Sequence, residues 1–422
     1  MSEFLRLVPP DEARSVLLSG IAAPLADVES VETTHALHRV TAEDVLAPHA
    51  LPEFRRSTVD GFAVRAGDTF GASPSLPAYL KLAGEVEMGA TPRFVLEAAQ
   101  CGLIHTGGML PTGADAVVML EDAQTVRAEV VSASPNDEIE ILKAVAPGEN
   151  VIAVGEDVQA GQTVLPRGMR LRPQEIGGLM ALGITSVRVV RKPHVGLISS
   201  GDEIVDPHTR PLPGQVRDVN AYSIAALVSE VGGDPVLCGV VADEPGRAEA
   251  AARRALAECD VVVITAGSSA STRDLTAKAI ASLGAPGVLV HGVNIRPGKP
   301  TILGVCGGKA VIGLPGNPVS ALVIARLFLL PVIGLLLGLR EAGRRASVMA
   351  RLASNLASQS GREDWWPVRL CESQTPQQAW LAEPIFSRSN LIFSLVAAHG
   401  LIRIAPESNG LSAGETVVVE LF

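Results

Sequence analysis

The stretch HVGLISSGDE at residues 194–203 is an apolar strand pattern that ends in small residues followed by two acids. VVVITAGSSA at 261–270 and KAVIGLPGNP at 309–318 follow the same design, and helix-like segments separate such strands. Strands that alternate with helices are typical of a parallel or mixed sheet covered on both faces. We therefore predict a three-layer α/β domain over residues 193–335.

The segments on either side have other patterns. Residues 1–45 and 155–192 contain helix-like pieces with too little apolar material to close separate cores, so we expect them to pack together as a two-segment linker domain. The stretch between them, 46–154, is rich in Gly and Pro and has short alternating runs, which predicts an inserted, mostly β domain. Residues 345–422 alternate polar and apolar positions without a long helix, which predicts a C-terminal β-barrel.

Composition narrows the class of protein. A chain of 422 residues is long enough for two to four domains. Its net charge of −10 disfavours binding to nucleic acid or to an anionic membrane surface through a broad basic face. Five scattered cysteines without a CxxC pair fit neither a disulfide framework nor a zinc site. The first residues, MSEFLRLVPPDEARS, lack the pattern of a signal peptide, so we expect a cytoplasmic protein.

One apolar stretch permits a membrane alternative. Residues 318–339 read PVSALVIARLFLLPVIGLLLGL, which is close to the length that spans a bilayer. Arg326 and Pro331 lie inside this stretch, and the preceding PGN is typical of a helix start. We therefore predict a buried helix of a soluble protein and no membrane partner.

Three strand-to-helix junctions are candidate ligand sites, at residues 200–203, 266–271 and 314–318. In open α/β sheets ligands bind beyond the carboxyl ends of strands, where glycines allow close approach and helix N-termini attract anions. These junctions therefore suit a phosphate-bearing ligand. At the third junction the alternative is a well-made helix start, with Asn317 as its N-cap and Pro318 at its first position.

Two further groups of residues could work beside these turns. Arg296 and Lys299 lie in the segment RPGKP, where prolines hold two cations on a stiff, non-helical clip that suits an oxyanion. A solvated surface loop is the alternative. Acids near Gly-rich turns point to Mg²⁺-assisted phosphate chemistry, although each alone could be a cap or a solvated residue. The candidate catalytic acids are Asp60, Glu203, Asp218, Asp243 and Asp274.

Ordered motifs then reveal a resemblance that covers nearly the whole chain. The chain resembles the molybdopterin molybdenumtransferase family, which includes the C-terminal domain of gephyrin. The motifs are STVDGFAV at 57–64, TGGMLPTGADAVVM at 106–119, GED at 155–157, RLRPQEIG at 170–177, SSGDEIV at 199–205, RDVN at 217–220, RPGKP at 296–300 and LPGNPVSA at 314–321.

The resemblance implies an activity and an assembly. The family inserts molybdate into adenylylated molybdopterin and releases AMP, so a molybdopterin adenylyltransferase is the expected upstream partner. It implies the four-domain fold outlined above and a homodimer with a composite active site, in which Asp60 acts on the neighbouring chain. Mg²⁺ would be bound by Glu203, Asp243 and Asp274.

The resemblance also implies which residues bind substrate. The Gly-rich turns and the region of Ser271 would hold the adenylylated pterin, while the clip and the neighbouring helix start would hold molybdate. The full set of substrate-binding candidates is Thr106, Gly201, Gly267, Ser271, Arg296, Lys299, Pro300, Asn317, Ser320, Arg362 and Ser389.

The chain departs from the family pattern at several places. Arg296 replaces the usual first Lys of the clip, and Phe62 replaces a Tyr. The loop at 266–275 has lost two glycines and a Tyr of the usual motif but keeps Asp274. These departures motivate an alternative hypothesis, a non-catalytic pterin-binding or scaffolding paralogue. A tungstate-using member is a second alternative, since both oxyanions are tetrahedral dianions.

Overall fold

The computed structural model describes residues 7–25, 27–125, 137–244, 246–266, 270–340, 345–372 and 380–422, with backbone only for 270–274. The chain divides into two compact units. Unit 1 comprises Met1–Glu43, Arg167–Ile176 and Thr185–Phe422, and unit 2 comprises Asp44–Pro166 and Gly177–Ile184. The division into four domains made from the sequence stays a prediction.

The helices carry an apolar stripe toward a core. In the fourth helix the buried alanines 248, 251, 252 and 255 recur at helical spacing, so one face packs while the other carries charge. In chain order the helices are α1 Pro10–Ser19, α2 Pro173–Ala181, α3 Asn220–Glu230, α4 Arg247–Glu258, α5 Ala270–Ser282, α6 Pro318–Ile324, α7 Leu330–Leu336 and α8 Phe393–Val396.

The strands are mostly short and rich in Val, Ile and Leu, as sheet-forming segments are. They are β1 Val28–Glu32, β2 Val45–Leu46, β3 Arg56–Ser57, β4 Gly61–Val64, β5 Ala78–Glu85, β6 Gln100–Ile104, β7 Ala116–Met119, β8 Ala123–Thr125, β9 Glu138–Ile141, β10 Val151–Ile152, β11 Thr163–Leu165, β12 Ser186–Val190, β13 His194–Ser200 and β14 Ile204–Val205. They continue with β15 Val216–Arg217, β16 Asp234–Val241, β17 Val261–Ala266, β18 Pro286–His291, β19 Ile295–Arg296, β20 Ile302–Cys306, β21 Lys309–Pro315, β22 Ser347–Leu352, β23 Leu356–Ala357, β24 Glu363–Glu372, β25 Trp380–Pro384, β26 Gly400–Ile404, β27 Gly410–Leu411 and β28 Thr416–Leu421.

Unit 2 is built on a mixed sheet in the order β7-β4-β6-β5-β9-β8. Side chains such as Phe62, Leu80 and Ile139 form its buried core. Gly61 begins β4 where the backbone of the neighbouring strand is very close: a Cβ at this position would lie 1.8 Å from the carbonyl oxygen of Val118. Only glycine therefore allows β4 to pair with β7 at this point.

The α/β part of unit 1 has a mixed sheet in the order β16-β13-β17-β21-β20-β18. The first four strands are parallel, while β20 and β18 are antiparallel to their neighbours. Alternate residues of β17 enter two cores. Val261 and Val263 pack on the side of α3, α6 and α7, whereas Val262 and Ile264 pack on the side of α4 and α5. The predicted three-layer arrangement is confirmed.

The C-terminal part of unit 1 is a closed barrel, also as predicted. The strands follow the order β24-β25-β22-β28-β26, and β26 pairs again with β24 to close the ring. The short strand β19 from the α/β part lies parallel to β24, with Arg296 paired to Asp364. This pairing joins the RPGKP clip to the barrel.

The apolar stretch after Asn317 forms α6, a π-helical turn at Ala325–Leu329, and α7. Pro318–Leu336 is long and apolar enough to cross a membrane, but 72% of the most apolar window is buried inside the protein. Its residues belong to the largest hydrophobic core. The prediction of a buried helix is confirmed. All five cysteines lie among the described residues and are free.

Candidate functional site

The carboxyl ends of the four parallel strands lie in one row. Ser200 at the end of β13 is in register with Val241 of β16 on one side and with Ala266 of β17 on the other. Ala266 is in turn in register with Pro315 at the end of β21. The three junctions predicted from the sequence therefore follow strands that end along one edge of the sheet, where α/β proteins bind their ligands.

The acid at the start of α3 is satisfied from inside the protein. Asp218 is 7% exposed. Its Oδ2 accepts a hydrogen bond from the Ser199 hydroxyl at 2.5 Å, and its Oδ1 accepts one from the Ala221 N–H at 3.1 Å. Asp218 lies one residue before the N-cap position of α3, and its carboxylate joins the first turn of that helix to strand β13. A catalytic role of Asp218 stays a prediction.

Three other carboxylates lie at the same edge. The Ser200 hydroxyl donates to Asp243 Oδ1 at 2.7 Å, and the Asp243 N–H donates to Asp202 Oδ1 at 3.0 Å. Glu203 is exposed, and its Oε2 lies over Gly201, 2.7 Å from where a Cβ on that glycine would be. The second junction, after β17, therefore has the acids of the β13 junction on one side.

The described residues give a partial fit to Mg²⁺. No group of three or more His, Cys, Asp or Glu side chains among them is arranged to hold a metal ion. However, Mg²⁺ often takes one or two carboxylates and completes its shell with water and substrate phosphates. The carboxylates of Glu203 and Asp243 fit that donor set.

Three predicted residues follow β17 in the sequence. Gly267 lies outside the described residues. Ser271 and Asp274 belong to the first turns of α5, but their side chains lie outside what the structure describes. Their predicted contacts with pterin, nucleotide or metal stay predictions.

A cavity of about 510 Å³ opens beside the end of β21. The α/β part and the barrel, both within unit 1, form its walls. A volume of this size is in the range of small-molecule sites. The predicted residues that line it are Arg296, Pro300, Asn317, Ser320 and Ser389.

The clip beside this cavity has a fixed backbone. Gly298 has φ +112°, and a Cβ there would lie 2.3 Å from the Ile324 side chain. The Gly298 carbonyl accepts hydrogen bonds from both the N–H and the hydroxyl of Thr301, at 3.1 and 2.6 Å. Lys299 is exposed, and its side chain is not among the described groups that line the cavity. The clip therefore presents Arg296 rather than Lys299 to the cavity.

Asn317 connects the start of α6 to the barrel. It occupies the N-cap position, but its side chain makes no capping hydrogen bond. Instead its Nδ2 donates to the Ser389 hydroxyl at 3.0 Å, and the Val319 N–H donates to the Ser389 carbonyl at 3.1 Å. Asn317 thus has the N-cap position that the sequence predicts, with Pro318 at the start of α6, but its side chain bonds the barrel segment instead of the helix.

A second asparagine, at the start of α3, donates a hydrogen bond to the junction after β21. Asn220 Nδ2 donates to the Gly316 carbonyl at 2.8 Å. Asn220 is 7% exposed, and its Oδ1 has no hydrogen-bond partner among the described residues. Sequence analysis did not select Asn220, although it ends the motif RDVN.

The barrel contributes residues that sequence analysis also missed. Trp366 and Arg388 line the cavity. The predicted residue Arg362 does not line it but forms a two-pronged pair with the buried Asp364, at 2.7 and 3.1 Å. The doublet at Trp365 and Trp366 in a chain with 3% aromatic residues was the available signal.

Unit 2 holds the predicted acid Asp60. Thr106 donates to Asp60 Oδ1 from its backbone N–H at 2.7 Å and from its hydroxyl at 3.1 Å. His105 Nδ1 lies 3.8 Å from the same oxygen. These hydrogen bonds, above all the backbone one, lower the pKa of Asp60 below its ordinary value. Thr106, predicted to bind substrate, holds the Asp60 carboxylate in its ionised form.

Comparison with protein families accounts for most of the sequence. Residues 8–183 match the MoeA N-terminal region (domain I and II), residues 196–334 match a probable molybdopterin binding domain, and residues 349–422 match the MoeA C-terminal region (domain IV). The matches follow one another in the order of the motifs.

Individual relatives agree with the family matches. A putative molybdopterin biosynthesis protein of Methanocaldococcus jannaschii is 34% identical, with 100% of both chains covered. A molybdopterin molybdenumtransferase of Bacillus subtilis is 33% identical over 94% of this chain and 90% of its own. The crystal structure of a molybdopterin biosynthesis MoeA protein from Pyrococcus horikoshii OT3 superposes with a TM-score of 0.84 at 31% identity, covering 99% of this chain and 100% of that one.

Proposed function

The chain belongs to the MoeA family of molybdopterin molybdenumtransferases, and we propose from this that it inserts molybdate into adenylylated molybdopterin with release of AMP. It is a transferase of molybdenum cofactor biosynthesis. The single observation that supports the finer proposal is the row of strand ends. That row brings the acids of the β13 junction and the cavity beside β21 to one edge of the sheet.

Each side of this edge suits a different part of the substrates. Guanidinium and hydroxyl groups line the cavity together with the Asn317 amide at the start of α6, and all of these are donors for a tetrahedral dianion. We assign molybdate to this cavity, with Arg296, Asn317, Ser320 and Ser389 as its ligands. The small-residue turns after β13 and β17, with Gly201, Gly267 and Ser271, would hold the pterin and its phosphates.

Mg²⁺ dependence is part of the proposal. Glu203, Asp243 and Asp274 would hold the ion, with phosphate oxygens of the substrate completing its shell. When bound, Mg²⁺ would neutralise charge that develops on the phosphoanhydride as it is cleaved. The chain's own acids keep the ion at the edge, and the cavity keeps the molybdate beside the pterin.

The central experiment measures AMP. Purified protein is incubated with adenylylated molybdopterin, molybdate and Mg²⁺, and AMP is quantified over time. We expect release that depends on molybdate and Mg²⁺ together and is lost in Asp274→Asn, with the fold intact by circular dichroism. Pterin binding without AMP release would contradict the proposal and favour the scaffolding paralogue. Replacing molybdate with tungstate tests the remaining alternative.

We further propose a cytoplasmic homodimer with composite sites, in which Asp60 of one chain serves its partner. A molybdopterin adenylyltransferase would supply the substrate, and neither nucleic acid nor membrane would be a partner. Mixing inactive Asp60→Ala chains with inactive Asp274→Ala chains tests this arrangement. At statistical exchange up to roughly a quarter of all sites should recover, since half of the dimers are mixed and each has one complete site. No recovery after verified subunit exchange would place both residues in one chain.

A further inference from the structure

The guanidinium of Arg296 is contacted by two side chains of the barrel. Its central carbon lies over the ring of Trp366, 5.5 Å from the ring centroid. Its Nη1 lies 3.9 Å from Asp364 Oδ2. The parallel pairing of β19 with β24 brings these groups together. A cation supplied by the α/β part is thus held by the barrel, at the edge of the cavity that both parts line.

Of these two contacts, the aromatic one is the stronger candidate for orienting Arg296. Asp364 is completely buried and already has a bidentate partner in Arg362, at 2.7 and 3.1 Å. Its 3.9 Å separation from Arg296 is at the outer limit of an ion pair, so this contact constrains the Arg296 guanidinium only weakly. A guanidinium over an indole ring gains attraction and is also confined to the ring face.

The Trp366 ring is itself fixed. Phe386 packs edge-on against it, with ring centroids 5.6 Å apart and an angle of 68°. Its indole N–H is buried and has no hydrogen-bond partner among the described residues, a cost that a phenylalanine at the same place would not carry. The indole therefore makes no hydrogen bond to the described residues, and its contacts are with Phe386, with the barrel core and with the Arg296 guanidinium.

We propose that Trp366 is a positioning residue, which holds the Arg296 guanidinium over the cavity so that its N–H groups meet a tetrahedral oxyanion. This inference rests on the proposed assignment of molybdate to the cavity. It also gives a physical role to the arginine at 296, where the family resemblance leads one to expect lysine. A planar guanidinium can stack on the indole and still donate from its edge, whereas an ammonium is a point charge without a preferred plane.

The test is a double-mutant cycle between positions 296 and 366. Molybdate binding is measured by calorimetry for the wild type, Trp366→Leu, Arg296→Ala and the double variant. Trp366→Phe is the conservative variant, because it keeps a ring under Arg296. Trp380→Leu is the matched control, since Trp380 is a partly exposed tryptophan of the same barrel and does not line the cavity. Thermal melts verify that each variant is folded.

We expect Trp366→Leu to weaken molybdate binding about threefold, the scale of an exposed cation–π contact, and Trp366→Phe to restore most of it. In the Arg296→Ala background Trp366→Leu should have no further effect, because its action passes through Arg296. In the complete assay the KM for molybdate should rise while kcat stays near the wild-type value. Trp380→Leu should leave both unchanged.

Two outcomes would overturn the inference. One is an equal loss from Trp366→Leu with and without Arg296, which would mean that the tryptophan acts only on the packing of the cavity. The other is wild-type protein that binds no molybdate. The proposed function is judged separately by AMP release. If the enzyme releases AMP but positions 296 and 366 are not coupled in molybdate binding, only the inference about Trp366 is wrong. If the two positions are coupled but no AMP is released, only the proposed function is wrong.

Discussion

Strands β13 and β21 both end in small residues, but the polar side chains that follow the two strands find different partners. After β13, Asp218 turns inward and is satisfied by Ser199 and by the start of α3. After β21, Asn317 turns away from its own helix and bonds Ser389 of the barrel. The contacts of Asp218 stay within the α/β part, and we call them the closed junction. The third junction, after β21, becomes the wall of a cavity, and we call it the open junction. The difference depends on whether another part of the fold supplies the polar partner.

The largest loss of stability should come from removing the Asp218 carboxylate at the closed junction. Asp218→Ala leaves the Ser199 hydroxyl and the Ala221 N–H without their acceptor, so we expect the free energy of unfolding to fall by about 2–4 kcal/mol. Urea titration followed by circular dichroism measures this change. Glu258→Ala, at the exposed end of α4, is the control and should change stability by less than about 0.5 kcal/mol. A variant as stable as wild type would mean that the hydrogen bonds of Asp218 do not stabilise the fold.

The backbone beside the open junction is the next most sensitive. In Gly298→Ala the residue must keep φ +112° while its Cβ displaces Ile324 from 2.3 Å. We expect a loss of about 1–3 kcal/mol in stability from strain and overpacking together. The double variant Gly298→Ala with Ile324→Ala removes the clash and retains only the backbone strain. If both variants lose the same stability relative to their parents, the close contact with Ile324 is not the cause.

Sequence patterns predicted the strands, the helices and the row of junctions, but they did not predict which barrel residues lie opposite those junctions. Alternating strands and helices located β13, β17 and β21, because hydrophobic periodicity and small-residue turns are local signals. Trp366 and Arg388 reach the cavity through the pairing of β19 with β24 and through the return of the chain after β25. Register between distant strands depends on packing of the whole barrel, which no local pattern records.

The same limit explains Asn317. Its place before Pro318 predicts an N-cap, and the position is indeed the N-cap. The side chain of Ser389, 72 residues later, is what diverts its amide. Asp60 shows the opposite case, since its partner Thr106 lies within the quoted motif at 106–119, yet only the pairing of β4 with β6 brings the two together.

Loss of the hydrogen bond between Asn317 and Ser389 at the open junction should affect molybdate binding more than folding. Asn317→Ala removes one partly buried hydrogen bond, so the expected loss of stability is only about 1 kcal/mol. Under the proposed function the KM for molybdate should rise, because the Ser389 hydroxyl is no longer held toward α6. Asn317→Asp, which keeps an oxygen but adds negative charge beside the oxyanion, should raise it further. An unchanged KM in both variants would remove Asn317 from the molybdate site.

Asp60 is an exposed acid, unlike the buried Asp218, but its carboxylate also accepts hydrogen bonds from within its own unit. Its lowered pKa means that the interaction with Thr106 is present above the unfolded-state pKa and is lost as pH falls through the folded-state pKa. Thr106→Val removes the hydroxyl donor and keeps the backbone one, so the pKa of Asp60 should rise and the acid limb of activity should move to higher pH. Thr106→Ser should behave like wild type. A pKa of Asp60 measured by NMR that does not move in Thr106→Val would contradict this cause.

The smallest effect tests whether the cavity uses long-range charge as well as directed contacts. Arg388 is exposed, lines the cavity, and has no ion-pair partner among the described residues. Its attraction for a dianion is screened by water and salt, so Arg388→Ala should raise the KM for molybdate only about twofold at low ionic strength, and Arg388→Lys should restore it. Near 1 M salt the difference should vanish, because the screening length falls to about 3 Å. An effect that persists at high salt would mean that Arg388 donates a direct hydrogen bond to the oxyanion, as Arg296 is proposed to do.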